Sequence, residues 1–156
     1  MTLPNTCFLF EGLSRQQMDG LNAISKIKPI VKGQWLFQDG EPARGLYVLS
    51  DGAIELVTNV DKDFELPIKM LRLKGDCCGL AALLAPHVYN LSARCAKDAR
   101  LFELKKEDLE SLFQQDNHLA LAIMANMSRH LLYRLNEARR ELRIHFKTLS
   151  DSSEVI

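Results

Sequence analysis

Apolar residues in the first two thirds of the chain form short clusters separated by glycine-containing turns. Between residues 32 and 57, β-branched, aromatic and aliphatic clusters are separated by Gly33, Gly40, Gly45 and Gly52. Glycine adopts the positive φ angles of tight turns without steric cost, so we predict a chain reversal at each of these glycines. Clusters of this composition favour strands, and their spacing predicts an all-β sandwich or barrel. The predicted strands are Ile27–Val31, Gln34–Phe37, Gly45–Ser50, Ala53–Asn59, Glu65–Leu73, Leu91–Ala96 and Arg100–Glu103.

Helical patterns flank the predicted strands and interrupt them once. From Leu13 to Lys26 apolar residues recur at helical spacing, and Ser14 is the expected N-cap. The segment Gly79–Pro86 is rich in helix formers, opens at a glycine and stops at a proline. We therefore predict one or two helical turns wedged between strands in that segment.

Beyond Leu104 the pattern becomes helical to nearly the end of the chain. It predicts a helix over Lys106–Gln114 and a long helix from about Asn117 to Phe146, which contains no glycine or proline. Asp116 is the expected N-cap of the long helix. The tail Thr148–Ile156 is expected to be disordered.

The long helix carries a line of mostly apolar residues at alternating steps of three and four, which we call the seam. Its residues are Leu121, Met124, Ser128, Leu131, Leu135, Ala138 and Leu142. Such a pattern is typical of helices that pair. A small β-domain cannot cover the seam along its whole length, so we expect a homodimer through this helix. The alternative is that the seam packs only on its own domain.

Composition narrows the function classes. The chain of 156 residues contains 20 Lys plus Arg and 20 Asp plus Glu, so its overall charge does not favour nucleic acid or an anionic membrane. We predict one domain over residues 1–147, a tail over residues 148–156, and a cytoplasmic location, since no signal or membrane-spanning segment is recognisable. The cysteines, whose spacing suits neither a disulfide framework nor zinc, are expected to be buried free thiols: Cys7, Cys77, Cys78 and Cys95.

No catalytic motif is recognisable in the sequence. There is no P-loop, no nucleophile elbow and no pair of histidines four residues apart, so we predict that the protein is not an enzyme. His118, His130 and His145 are too widely spaced along the long helix to share a metal ion, and no metal site is predicted.

Several short motifs follow one another in a fixed order. They are Leu9-Phe10-Glu11-Gly12-Leu13-Ser14, Lys32-Gly33, Leu36-Phe37, Gly40-Glu41, Leu46-Tyr47-Val48, Gly52, Gly75-Asp76 and Gly79, followed by the long helix. As a set they resemble the cyclic nucleotide-binding domain superfamily, which includes the sensor domains of catabolite activator protein-like regulators. The resemblance implies a mainly β fold with flanking helices: a jelly-roll-like β-roll with a ligand pocket between Gly79 and Ser92, plus a long C-terminal dimerisation helix.

The resemblance also implies how a cyclic nucleotide would be held. The family binds the cyclic phosphate at the N-terminus of the short helix, where free backbone N–H groups meet the anion. In the family, a glutamate after the glycine accepts a hydrogen bond from the ribose 2′-hydroxyl, and an arginine about ten residues later forms an ion pair with the phosphate. The corresponding segment of this chain, which we call the cassette, comprises Gly79, Leu80, Ala81 and Ala82, followed after a loop by Asn90, Leu91 and Ser92.

This cassette keeps the glycine and lacks the two recognition side chains. Leu80 stands where the glutamate belongs, and Asn90 stands where the arginine belongs. Each missing charge-assisted hydrogen bond costs roughly 1.5–3 kcal/mol of binding free energy, so we expect weak or no binding of cyclic AMP. Arg134 on the long helix is a candidate for supplying the missing cation, and a solvated arginine is its simpler interpretation. Arg94 is interpreted as a surface strand residue.

The leading hypothesis is a stand-alone homodimeric regulatory module whose ligand, a cyclic nucleotide or another small anion, alters the position of the long helix. In the superfamily's transcription factors a helix-turn-helix domain follows the long helix, and no such domain follows it in this sequence, so we do not expect nucleic-acid binding. One alternative is a ligand-independent interaction module that holds an unknown effector protein. A second is a haem-type gas or redox sensor, suggested by His87 near Cys77 and Cys78.

Overall fold

The computed structural model describes residues 1–153, and the fold begins with two short helical segments. A 3₁₀ turn over Phe8–Phe10, called the N-terminal turn below, precedes helix α1 over Arg15–Ile24. Ser14 caps α1 as predicted: its Oγ accepts a hydrogen bond from Gln17 N at 3.1 Å, and Gln17 Oε1 accepts one from Ser14 N at 2.9 Å. This reciprocal pair satisfies two backbone donors at the start of the helix.

The described residues form one antiparallel sheet of six strands, which wraps into the β-roll. The strands are β1 (Ser25–Ile30), β2 (Trp35–Phe37), β3 (Gly45–Asp61), β4 (Phe64–Leu71), β5 (Cys77–Cys78) and β6 (Ser92–Lys105). Their order is β1-β6-β3-β4, with β2 paired to β6 and β5 paired to β3. The mainly β architecture with flanking helices is the one predicted.

Two pairs of predicted strands are in fact single strands. The segments Gly45–Ser50 and Ala53–Asn59 are joined in the 17-residue β3, and Leu91–Ala96 is joined to Arg100–Glu103 in the 14-residue β6. The predicted reversal at Gly52 is wrong: this glycine has φ 93° where the register between β3 and β6 shifts. A Cβ at Gly52 would overlap the Asp98 carbonyl oxygen and Ala99, so a bulge, rather than a turn, requires glycine there. Gly45 is not in the positive-φ region, and it begins β3.

Two helices follow the sheet: α2 over Lys106–Gln115 and α3 over Asn117–Ser153. Asp116 caps α3 as predicted, because its Oδ1 accepts a hydrogen bond from Leu119 N at 3.0 Å. The predicted disorder of the tail is wrong for residues 148–153, which continue α3 with no glycine or proline to stop it. Residues 154–156 of that predicted tail lie outside the described residues.

The first three turns of α3 attach it to the domain. Leu119, Ile123, Asn126 and Met127 are buried, and from residue 128 to 153 no α3 side chain is buried. Asn126 Nδ2 donates hydrogen bonds to the carbonyl oxygens of Leu9 at 2.8 Å and Glu11 at 2.9 Å. The N-terminal turn and α3 are therefore joined by both packing and hydrogen bonds. None of the described helices combines the length and apolarity needed to cross a bilayer.

Candidate functional site

A cavity of about 660 Å³ opens between the sheet and α3. Its walls come from β3 and β4, the N-terminal turn, α3, and the segment from Gly75 to Leu91. This size lies in the range of small-molecule sites in proteins. The cavity coincides with the region where the sequence places the cassette.

One wall is built on the 3₁₀ turn Leu80–Leu83, which we call the pocket turn. Gly79 precedes it in the left-handed region at φ 84°, and a Cβ there would lie 2.7 Å from the Gly45 carbonyl oxygen. Only glycine allows this close approach to β3. His87 Nδ1 lies 3.2 Å from the Ala81 carbonyl oxygen, and His87 N donates to the Leu84 carbonyl oxygen at 2.8 Å. These contacts hold the loop that follows the turn.

The structure brings most of the predicted cassette residues to the cavity. The residues that line it are Gly79, Leu80, Ala81, Asn90, Leu91 and Arg134. Ala82 and Ser92 lie away from the lining. Ala82, a residue of the pocket turn, packs into the core and is 3% exposed. Ser92 Oγ accepts a hydrogen bond from Asp39 N at 2.9 Å. Core packing explains the position of Ala82, and the hydrogen bond to Asp39 explains that of Ser92.

The lining is strongly asymmetric in charge. Between Gly79 and Leu91 the chain contains no Asp, Glu, Lys or Arg, so the cassette wall presents mainly aliphatic side chains. The opposite wall carries the basic side chains: Lys69 from β4, and His130 and Arg134 from α3. The pairing of Leu56 in β3 with Lys69 in β4 brings both to the cavity. An anion in this cavity would therefore be attracted toward α3 and β4, away from the cassette.

His130 connects this basic wall to the N-terminal turn. Its ring stacks on Phe8 with centroids 3.8 Å apart and an interplanar angle of 13°. Burial lowers the pKa of His130, and the positive charges of Lys69 and Arg134 lower it further. Lys69 and Arg134 thus each disfavour the protonated form of His130, and all three side chains line the same cavity.

The comparisons with known proteins agree with this architecture. The family model described as "Cyclic nucleotide-binding domain" matches residues 27–116, which is more than half of the chain. The chain belongs to the cyclic nucleotide-binding domain family. The resemblance inferred from the sequence motifs is therefore confirmed. The match includes the sheet and the cassette and ends at the residue before α3.

Regulatory proteins are among the relatives of this cyclic nucleotide-binding domain. The "Anaerobic regulatory protein" of Bacillus subtilis (strain 168) is 32% identical over 130 residues, covering 81% of this chain and 53% of the relative. The chain thus spans about half the length of that relative. The Thermus thermophilus catabolite activator protein superposes with a TM-score of 0.75 at 25% identity, covering 88% of this chain and 62% of that one.

A separately solved sensor domain is similar along nearly its whole length. It belongs to the transcriptional regulator DNR from Pseudomonas aeruginosa, and it superposes with a TM-score of 0.68 at 25% identity. The match covers 85% of this chain and 89% of the sensor domain. The cyclic nucleotide-binding domain described here is thus similar to the sensing parts of transcriptional regulators.

The cysteines of the domain are all free, and two of them, Cys77 and Cys78, line the cavity. A hydrogen bond with Cys7 and then burial raise the pKa of Cys77, and burial raises the pKa of Cys78 to about 12. Protonated thiols are poor nucleophiles and poor metal ligands. His87, the other residue of the haem hypothesis, does not line the cavity and faces a groove with Tyr47 and Lys106. No observation at this site favours haem.

Arg94 does not take part in the cavity either. Its guanidinium forms ion pairs with Glu55 at 3.2 Å and Glu65 at 3.0 Å, and it lies 4.9 Å from the centre of the Trp35 ring. The charge is therefore neutralised on the sheet surface, as expected for a surface strand residue, and none is left for a ligand.

Sequence reasoning missed Lys69 and the role of the N-terminal turn. Lys69 is the one Lys or Arg in the run Leu66–Leu71 of β4, where it lies between Ile68 and Met70. A single lysine among apolar residues was a usable signal of a candidate ligand-binding side chain. His130 was considered only as a metal ligand. Among residues 1–153 no cluster of three or more His, Cys, Asp or Glu side chains could hold a metal ion.

Proposed function

We propose that this chain is a ligand-sensing regulatory domain that binds cyclic AMP weakly or not at all and whose cavity controls the position of α3. The observation that carries the proposal is the composition of the cassette wall. Leu80 and Asn90 line the cavity, and the resemblance implies that the family has a glutamate and an arginine at these two positions. An aliphatic side chain cannot accept a hydrogen bond from the ribose hydroxyl, and a neutral amide cannot neutralise the negative charge of a phosphate.

The expected size of this loss supports the proposal that cyclic AMP is not the physiological ligand. Two missing charge-assisted hydrogen bonds correspond to roughly 3–6 kcal/mol, which weakens binding by about 10²- to 10⁴-fold. Arg134 lines the same cavity from α3, and the proposal takes it not to restore the family's phosphate contact, since it does not lie in the loop after the pocket turn where the resemblance places that arginine.

The position of α3 supports a sensing role. His130, Leu131 and Arg134 line the cavity just after the last buried residue of α3, Met127. A ligand would therefore contact the helix where its attachment to the domain ends. It shifts α3 only if it binds two positions of the helix with different affinity.

We further propose that α3 pairs with its copy in a cytoplasmic homodimer. The exposed fractions of the seam leucines are 70% for Leu121, 43% for Leu131, 46% for Leu135 and 57% for Leu142. Ser128 and Ala138 are exposed as well, and Met124 is half-buried. Leu149, 67% exposed, continues the same spacing seven residues beyond Leu142. A second α3 would cover this strip, which its own domain leaves open.

Titration of the protein with cyclic AMP tests the proposal. We expect no resolvable heat in calorimetry and no rise in melting temperature at millimolar cyclic AMP. The double variant Leu80→Glu/Asn90→Arg should gain binding, whereas Leu84→Glu/Asn90→Gln should not. A micromolar dissociation constant for the unmodified chain would contradict the proposal, and so would a double variant that stays silent although it folds.

A second candidate function is a ligand-independent interaction module that binds an effector protein. The exposed apolar side chains on α3 outside the seam favour it, among them Leu132, Ile144 and Phe146. This candidate predicts that no small molecule changes the melting temperature. It also predicts that neutral substitutions of Lys69, His130 and Arg134 leave binding of the effector protein unchanged. It shares with the leading proposal the absence of cyclic AMP binding.

A further inference from the structure

The polar groups around the cavity differ in whether they already have partners. Lys69 and Arg134 have no carboxylate within 4.0 Å among residues 1–153. Arg94, by contrast, has two carboxylate partners on the sheet surface. Two unpaired cations beside the half-buried His130 form a positive field directed at the cavity, and an anion placed there would reduce their mutual repulsion.

Of the remaining polar lining groups, Asp76, Tyr89 and Thr6 already have hydrogen-bond partners, whereas the exposed Asn90 side chain has none among the described residues. Asp76 Oδ2 accepts hydrogen bonds from the backbone N–H groups of Arg72 and Leu73, each at 3.0 Å. The Tyr89 hydroxyl donates to the Gly45 carbonyl oxygen at 2.6 Å, and the Thr6 hydroxyl donates to the Lys74 carbonyl oxygen at 3.1 Å. A ligand rich in hydroxyl groups, such as a sugar phosphate, would find few free partners and would lose hydrogen bonds to water.

The rest of the lining is apolar. The side chains that would surround the body of a ligand are Leu56, Leu71, Leu80, Leu84, Val88 and Leu91. Leu84 and Val88 are 43% and 42% exposed, so apolar surface is available at the mouth of the cavity as well as inside it. Covering such surface with hydrocarbon is favourable at roughly 25 cal/mol per Å².

We propose that the cavity binds an amphipathic organic carboxylate, with the carboxylate facing Lys69, His130 and Arg134 and the hydrocarbon body lying against the pocket turn and the loop after it. The inference rests on the proposed function, since it takes this cavity as the sensing site. It reverses the family arrangement: the anion lies on the α3 side, and the apolar part lies on the cassette side. The carboxylate therefore contacts α3 directly.

Matched pairs of probes test the charge requirement. Octanoate is compared with octanol, and 2-naphthoate with 2-naphthylmethanol, by calorimetry and thermal shift on the full chain. We expect the carboxylate of at least one pair to bind about tenfold or more tightly than its alcohol, the loss expected for one charge-assisted hydrogen bond. The two pairs distinguish a chain-shaped from a ring-shaped hydrocarbon body. Equal binding of acid and alcohol in both pairs would overturn the inference.

Two variants on the same helix test the location. Arg134 lines the cavity and Arg139 does not, and both are exposed, so neither substitution should affect folding. Arg134→Met should weaken carboxylate binding about tenfold, Lys69→Met should also weaken it, and Arg139→Met should leave it unchanged. Equal effects of Arg134→Met and Arg139→Met would place the anion elsewhere and overturn the inference.

Cyclic AMP, run beside the carboxylates, separates the two proposals. Micromolar binding of cyclic AMP overturns the proposed function. If cyclic AMP and all four probes are silent, the ligand class proposed here is wrong, and the weak-cassette proposal stands. Carboxylate binding that depends on Arg134, in the absence of cyclic AMP binding, supports both.

Discussion

The two parts of α3 have different surroundings although they belong to one continuous helix. Its first part, residues 117–127, buries Leu119, Ile123 and Met127 against the domain, and its second part, residues 128–153, buries nothing within the described residues. At 1.5 Å per residue the second part extends for about 39 Å. Most helical stability in proteins comes from packing rather than from propensity, and under the proposed function a second copy supplies that packing for this part.

The cavity lies at the junction of these two parts. His130, Leu131 and Arg134 follow Met127 within two turns and are the α3 residues that line the cavity. Under the proposed function, a ligand at that point would change the direction of the free part while the attached part stays fixed. The proposal thus assigns attachment, sensing and pairing, in chain order, to one helix.

Breaking the pairing part should have the largest effect. Leu135→Lys/Leu142→Lys places charges on the seam of both copies, and each buried leucine of a dimer contributes about 1.5–3 kcal/mol. We expect a monomer in light scattering where the unmodified chain is a dimer. The control Leu132→Lys/Ile144→Lys changes exposed residues outside the seam and should remain dimeric. If the unmodified chain is already monomeric, the proposed pairing of α3 through the seam is wrong.

Truncating a core side chain of the attached part should come next. Ile123 is 2% exposed, and Ile123→Ala should lower the free energy of unfolding by about 2–5 kcal/mol because a cavity remains. Ile144, 56% exposed, is the matched position in the free part, and Ile144→Ala should change the value by less than about 0.5 kcal/mol. Denaturant titration measures both, and similar losses would mean that the two parts are not distinct.

The hydrogen bonds of Asn126 give a smaller and more local effect. Asn126→Ala leaves the carbonyl oxygens of Leu9 and Glu11 without this donor, at a cost of about 1–3 kcal/mol. Asn136→Ala, in the exposed part, is the control and should be neutral. Hydrogen exchange should show faster opening of the N-terminal turn in Asn126→Ala only. Unchanged exchange there would argue that the turn does not depend on α3.

The titration of His130 provides the finest test of the junction. Its pKa is lowered by burial and by the charges of Lys69 and Arg134, so Lys69→Met should raise it toward the ordinary value without reaching it. Addition of a bound carboxylate should raise it as well, because an anion favours the protonated ring. NMR titration of the imidazole signals measures both shifts. If the pKa of His130 does not respond to Lys69→Met, the charge of Lys69 does not act on His130 and the proposed cation group is wrong.

The features that sequence predicted correctly depend on neighbours along the chain. The predicted N-caps Ser14 and Asp116 each accept a hydrogen bond from a backbone N–H three residues along the chain, so the local sequence specifies them. The seam is likewise a repeat within one helix; four of its leucines are exposed in the structure, and its pairing stays a prediction. The family motifs fixed the β-roll and the position of the cassette.

The errors arose where one local signal suits two structures. A glycine with positive φ can make a turn or a bulge, and at Gly52 only the neighbouring strand, through Asp98 and Ala99, selects the bulge. The polar sequence after Lys147 suggested disorder, yet it lacks a residue that stops a helix, and α3 continues to Ser153. Composition alone does not distinguish these outcomes.

The sequence by itself determined the family, the mainly β class with flanking helices and the absence of charged side chains between Gly79 and Leu91, because all three can be read from short segments of the chain. Only the tertiary structure decided that Lys69 meets His130 and Arg134, residues more than sixty positions away along the chain. That meeting depends on the β3–β4 register and on the packing of α3 against the N-terminal turn. Contacts of such separation follow from how the whole core closes, and no local pattern encodes them.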